Sequence, residues 1–146
     1  MIDVLAAAQA HREALQPLAA SAAALLGGRA ASIGIVDDVG RDVVFAAVAG
    51  EGEDELVGAR FPAGEGVAGA VIASGSALVV DDLAADTRFA RDVATASGYV
   101  PDAITAIPLA RDGRTVGVLS VLDPARADLP VLETLAGLID VALDLP

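Results

Sequence analysis

Residues 63–82 read AGEGVAGAVIASGSALVVDD, and two folds compete for them. Gly64-x-Gly66-x-x-Gly69, an apolar segment and the later pair Asp81-Asp82 outline a dinucleotide-binding βαβ unit. In that unit the glycines bring a helix N-terminus up to a pyrophosphate. It requires a buried parallel strand running straight into the first glycine. The residues that precede it here, ELVGARFPA (55–63), hold Gly58, Arg60 and Pro62 instead, and proline is kept out of sheet interiors. In a chain this rich in Asp the acidic pair carries little weight. The other reading is structural. Gly64 and Gly66 shape a tight turn into a short helix over 65–74, ended by Gly75, and Gly69 lets that helix lie close to a sheet. Glu65 at its start suits the helix dipole.

The flanking sequence decides between them. On one side, ASIGIVDDVGRDVVFAAVAG (31–50) holds two short, partly β-branched runs, 30–36 and 43–49, around Asp37-Asp38-Val39-Gly40. On the other, AITAIPLARDGRTVGVLSVLD (103–123) holds two more around Arg111-Asp112-Gly113-Arg114. Both are hairpin patterns. ALVVDD (77–82) adds a strand, and the acidic loop 50–60 a short edge strand at 55–60. Hairpins on both sides of the glycine loop predict an antiparallel sheet of five or six strands, so the class is α+β.

Helices close both ends. Val4, Ala8, His11, Leu15, Leu18, Ala22 and Leu25 recur at alternating spacings of four and three, a helical seam over 2–26 that stops at Gly27-Gly28. Pro17 inside it predicts a kink near residue 13 or 14. Asp128 caps a last helix, 128–144, with Pro130 in its first turn. Residues 82–101 hold no clean period and read as a short helix and a long loop. The expectation is one domain over 1–146: an N-terminal helix (2–26), a sheet core with pocket (29–123) and a C-terminal helix (128–144).

Composition narrows the chemistry. The chain has 146 residues, a net charge of −12, one His and no Cys. All its basic residues are Arg. The acidity disfavours nucleic acid and anionic membrane as partners. Without Cys there is no disulfide, thiolate metal site or cysteine nucleophile. No apolar run reaches membrane-spanning length, so a cytoplasmic location is expected.

Taken together, Pro62-x-Gly64-x-Gly66, Val67-Ala68-Gly69, Gly75-x-x-Leu78-Val79-Val80-Asp81-Asp82, Asp86-x-Arg88-Phe89, Ile107-Pro108-Leu109 and Gly113-Arg114-x-x-Gly117-Val118-Leu119 resemble the GAF domain family, in the same order and over nearly the whole chain. The resemblance implies terminal helices on one face of the sheet and a ligand pocket on the other, roofed by short helices and loops. It implies a sensory or regulatory module working with a kinase, cyclase, phosphatase or transcriptional output domain. Bilin-attaching and sulfoxide-reducing members depend on Cys, so neither activity is expected here, nor any cofactor. Cyclic-nucleotide members carry an Asn-Lys…Phe…Asp-Glu signature, which Asp86…Arg88-Phe89…Asp92 echoes only in part. Asp102-Ala103 stands where many members have Arg-Ser, which argues against an anionic ligand.

The expected function is therefore non-enzymatic: binding of an unknown small molecule over the sheet by a homodimer. The alternative is a structural dimerisation module with a filled cavity. Pocket candidates are Ser32, Gly34, Phe89, Tyr99, Thr105, Ile107 and Ser120. The last helix is apolar around most of its circumference, more than packing on one sheet needs. A four-helix bundle between two chains is expected to use His11, Leu15, Leu18, Leu135, Leu138 and Leu143. Asp81, Asp82 and Asp86 lack the alternation of a calcium loop and read as solvated turn and cap carboxylates, so no metal site is expected.

Overall fold

A computed structural model describes residues 3–85 and 100–146. The first hairpin is β1 (Ala30–Val36) and β2 (Asp42–Gly50). Short strands β3 (Arg60–Pro62) and β4 (Leu78–Val80) follow, and the second hairpin is β5 (Ile104–Arg111) and β6 (Arg114–Leu122). They form one six-stranded sheet in the order β3-β2-β1-β6-β5-β4. Every neighbouring pair is antiparallel, which removes the parallel crossover that a dinucleotide-binding unit needs.

The turns obey their residues. Asp112 and Gly113 both have positive φ, 53° and 77°, the type I′ geometry that matches strand twist in a two-residue hairpin. In the other hairpin the Asp37 carboxylate accepts the N–H groups of Arg41 (2.9 Å) and Asp42 (3.3 Å) and meets the Arg60 guanidinium at 3.2 Å. Burial raises the pKa of this carboxylate, but those N–H groups, Arg60 and Gly40 outweigh it and hold the pKa below the usual Asp value.

One face of the sheet is covered by α1 (Val4–Ala10), α2 (Arg12–Leu26) and α5 (Leu129–Leu143). The expected single helix 2–26 is thus two. Pro17 has no N–H to return to Glu13 and its ring crowds the preceding turn. The chain leaves the helical region upstream of the predicted kink, at His11, with φ −113° and ψ 28°. α2 ends as predicted: Gly28 N–H bonds Ala23 O and Gly27 N–H bonds Ala24 O, the paired bonds of a Schellman stop. Asp3 caps α1 through Ala6 N–H, and Asp128 caps α5 through Val131 N–H.

The core between helices and sheet mixes alanines with larger aliphatic side chains. Ala8, Ala19 and Ala22 are fully buried beside Leu15 and Leu26, facing Ile33, Ile35, Leu119, Leu132 and Ile139. On the opposite face α4 (Gly66–Ser74) lays Val67 and Val71 over Ala106 and Val118, joined by Val80 and Leu83 in a second apolar cluster. A short helix, α3 (Glu53–Leu56), bridges β2 and β3.

Candidate functional site

Strand register assigns each side chain to a face. Val118 and Ala106 sit under α4, and successive residues alternate, so Ser120 lies on the α4 side while Leu119 and Val121 face the terminal helices. Across β1 and β6, Ser32 is directly opposite Ser120; Ser32 in turn faces Val48 on β2, and Ser120 faces Ala106 on β5. The two serines are therefore adjacent at the centre of the sheet, on the face away from the terminal helices. Ser120 is buried and Ser32 half-buried.

The five other pocket candidates stand differently. Gly34 is on the same face, but a Cβ there would lie 2.6 Å from Val43 Cγ1, so Val43 occupies the room over it. Thr105 and Ile107 are on the wrong face. They pair with Val121 and Leu119, and Ile107 belongs to the core beneath the terminal helices; Thr105 is fully buried with no hydrogen-bond partner for its hydroxyl. β5 is buried on both sides, so its alternation does not say which side is the pocket. Phe89 and Tyr99 lie outside the described residues, as does Asp86.

Sequence reasoning missed Val43, Phe45 and Val48 on this face. Between Ile33 and Gly34 the pairing shifts by one residue, so Ala47 opposes Ile33 while Phe45 opposes Gly34. A β-bulge of this kind breaks simple alternation. Phe45 meets Phe61 of β3 edge to face, with ring centroids 5.6 Å apart.

The glycine loop does mechanical work. Gly66 opens α4 with φ 70°, a conformation costly for other residues. Gly69 has a different neighbour from the one expected: a Cβ there would lie 2.6 Å from Gly64 C and 2.9 Å from Gly64 O. It lets α4 press on the backbone of its own approach.

Two contacts tie this face to the terminal helices. The Gln16 side-chain amide of α2 donates to Val48 O and accepts from Val48 N–H (3.2 Å), closing an edge of β2 that β3 does not reach. At the far end of β6, Asp123 adopts φ 48°. Its carboxylate accepts the N–H groups of Asp102 (2.8 Å) and Ala103 (2.9 Å). Two residues on, Ala125 N–H bonds Leu26 O at the end of α2, and the chain then enters α5.

A model of the GAF domain matches residues 11–143. The chain belongs to the GAF domain family. A stretch of 87 residues is 32% identical to the probable 3',5'-cyclic phosphodiesterase pde-5 of Caenorhabditis elegans, covering 59% of this chain and 12% of that protein. The chain thus spans about an eighth of that relative's length. Among solved structures, it resembles a free methionine-R-sulfoxide reductase from Neisseria meningitidis in complex with its substrate, at 25% identity and TM-score 0.73, covering 92% of this chain and 78% of that one. It also shares its fold with the GAF domain of a phosphoenolpyruvate-protein phosphotransferase from Coxiella burnetii, at 23% identity and TM-score 0.76, covering 89% and 80%.

The dimer candidates separate by burial. Leu15, Leu135 and Leu143 are 0%, 5% and 2% exposed inside the GAF domain's own core and are not available to a partner. Leu18 packs against that core and His11 is half-buried. Leu138 is exposed, as are Leu25, Val141 and Leu145. Arg111 reaches from the second hairpin to Asp140 (3.3 Å) and Asp144 on α5. Among the described residues no group of three or more His, Cys, Asp or Glu is placed to hold a metal ion, and no helix is long and apolar enough to cross a membrane.

Proposed function

We propose that this GAF domain is a non-enzymatic sensor. A small molecule binds over the face that carries Ser32 and Ser120, the domain pairs with a second copy through its terminal helices, and an output domain reads the helix packing. The observation that carries this reading is the double connection between the faces. Val48, neighbour of Ser32, is gripped by Gln16 of α2, and Asp123 joins the 102–103 backbone to the segment leading into α5. A ligand that favours one arrangement of the face shifts the population of helix arrangements by its difference in affinity for the two.

The exposed Leu138 and Val141 of α5, with Leu25 of α2, supply an apolar surface for the partner copy. The lack of any cysteine supports a binding role over sulfoxide reduction. A second reading, a dimerisation module that binds nothing, draws on the filling of the face by Val43 over Gly34 and by Val67 and Val71 over Ala106. Thermal unfolding against a panel of small metabolites separates them. A ligand at a hundred times its Kd stabilises a sensor by about 2.7 kcal/mol, whereas the filled module gives a flat response. Sedimentation of Leu138→Glu beside the parent tests the dimer: a parent that sediments as a monomer removes that part of the proposal.

A further inference from the structure

Resting on the sensor reading above, we propose that the Ser32–Ser120 pair is the polar anchor of the ligand site and that the ligand is uncharged, an apolar body with one hydrogen-bonding group. The two hydroxyls come from adjacent strands at directly opposed positions, where Cβ atoms stand about 5 Å apart. One polar atom above the sheet can therefore meet both. Neither hydroxyl has a hydrogen-bond partner within the described residues, and Ser120 is only 8% exposed. Its Oγ is nevertheless not one of the fully buried unpaired atoms, so the hydroxyl keeps a path to the space above the sheet. The orphan Thr105 hydroxyl differs: it lies on the helix side of the sheet, in the packed core, where no ligand reaches it.

The surroundings fix the class. The same-face positions flanking the pair, Gly34, Val48, Ala106, Val118 and Leu122, carry neither charge nor a polar side chain. A bound carboxylate or ammonium would be stripped of water with no counter-charge from this part of the site, a heavy penalty. A carbonyl or amide loses far less and regains it from two hydroxyls, each able to donate or accept. The pair thus selects neutral carbonyl, amide or heterocyclic groups and rejects acids and amines of the same shape.

Four probes that share one aromatic ring test this: benzamide, benzoate, benzylamine and toluene, titrated into the ¹⁵N-labelled protein and followed at the Ser32, Val48, Ala106 and Ser120 amides. Benzamide is expected to shift these signals at the lowest concentration, toluene more weakly, and the two ions not at all. Ser32→Ala and Ser120→Ala, small changes that open no cavity of note, should each weaken benzamide about tenfold and leave toluene unchanged. If benzoate or benzylamine binds as well as benzamide, or if both alanine variants bind benzamide like the parent, the anchor is wrong while the site stands. If none of the four moves these amides, the site itself is refuted and the anchor falls with it.

Discussion

Replacing Gly69 by alanine and, separately, Gly137 by alanine makes the same chemical change in two helices and should have opposite effects. In an open helix position the added methyl stabilises by about 0.5–1 kcal/mol, because glycine has more backbone freedom to lose on folding. Gly137 in α5 is exposed with no atom within 4 Å of its added Cβ, so it should show that gain in full. At Gly69 the same gain is opposed by contacts of 2.6, 2.9 and 3.1 Å with Gly64 C, Gly64 O and Ala63 O. These are backbone atoms, which cannot rotate aside as a side chain would. Overpacking costs about 1–3 kcal/mol, with this site toward the upper end. The net is a loss of about 2 kcal/mol once propensity is subtracted. Urea unfolding followed by far-ultraviolet circular dichroism reads both, with midpoints moving in opposite directions and the slope unchanged. Running two protein concentrations separates folding from self-association. If Gly69→Ala proves as stable as the parent, α4 does not sit against residues 63–64 and the account of the glycine loop fails.

Three more tests address the joints of the fold. Asp37 has a lowered pKa when folded, so its contribution is complete above the unfolded value of about 3.9 and disappears as pH falls through the folded value. Asp37→Asn should therefore flatten the acid limb of the stability curve below about pH 4, and an unaltered limb would contradict the hydrogen bonds assigned to it. Gln16→Leu leaves Val48 N–H and C=O without partners, a loss of about 1–3 kcal/mol, with faster hydrogen exchange at the Val48 amide; unchanged exchange would mean that the amide is not gripped. Asp123→Ala keeps the left-handed backbone but removes the acceptor for Asp102 and Ala103 N–H groups. It should destabilise by about 2 kcal/mol and raise exchange at those two amides before any other in the second hairpin.

The hairpins and the terminal caps were legible because each depends on neighbours in sequence, whereas the edge strand expected at 55–60 lies at Arg60–Pro62, beyond α3. Asp112-Gly113 specifies its turn by backbone preference alone, and Gly27-Gly28 and Asp128 act within one helical turn. What was not legible depends on a second element. The strand 104–109 is apolar at nearly every position because α4 lies on one side and α5 on the other, so Thr105 and Ile107 were assigned to the wrong face. Leu135 and Leu143 look the same in sequence as Leu138; only the angle at which α5 settles on the sheet makes the first two core and the third surface. The break at His11 lies upstream of the place that Pro17 suggested, and Pro17 itself sits within α2. That Ser32 and Ser120 face the α4 side was legible from alternation, whereas Phe45 and Val48 on the same face were hidden by the bulge in the β1–β2 ladder.

The alanines beneath α2 set how far this scaffold can diverge. Ala19 and Ala22 expose nothing, so the helix axis rides close to the strands and any larger residue there must lift the whole rod. The layer bearing Ser32 and Ser120 is bounded instead by branched side chains, which can be trimmed or exchanged one at a time. Substitutions can thus accumulate on one side while the other keeps its spacing, and a lineage built on this plan would change the lining of that face long before it changed how its helices lie.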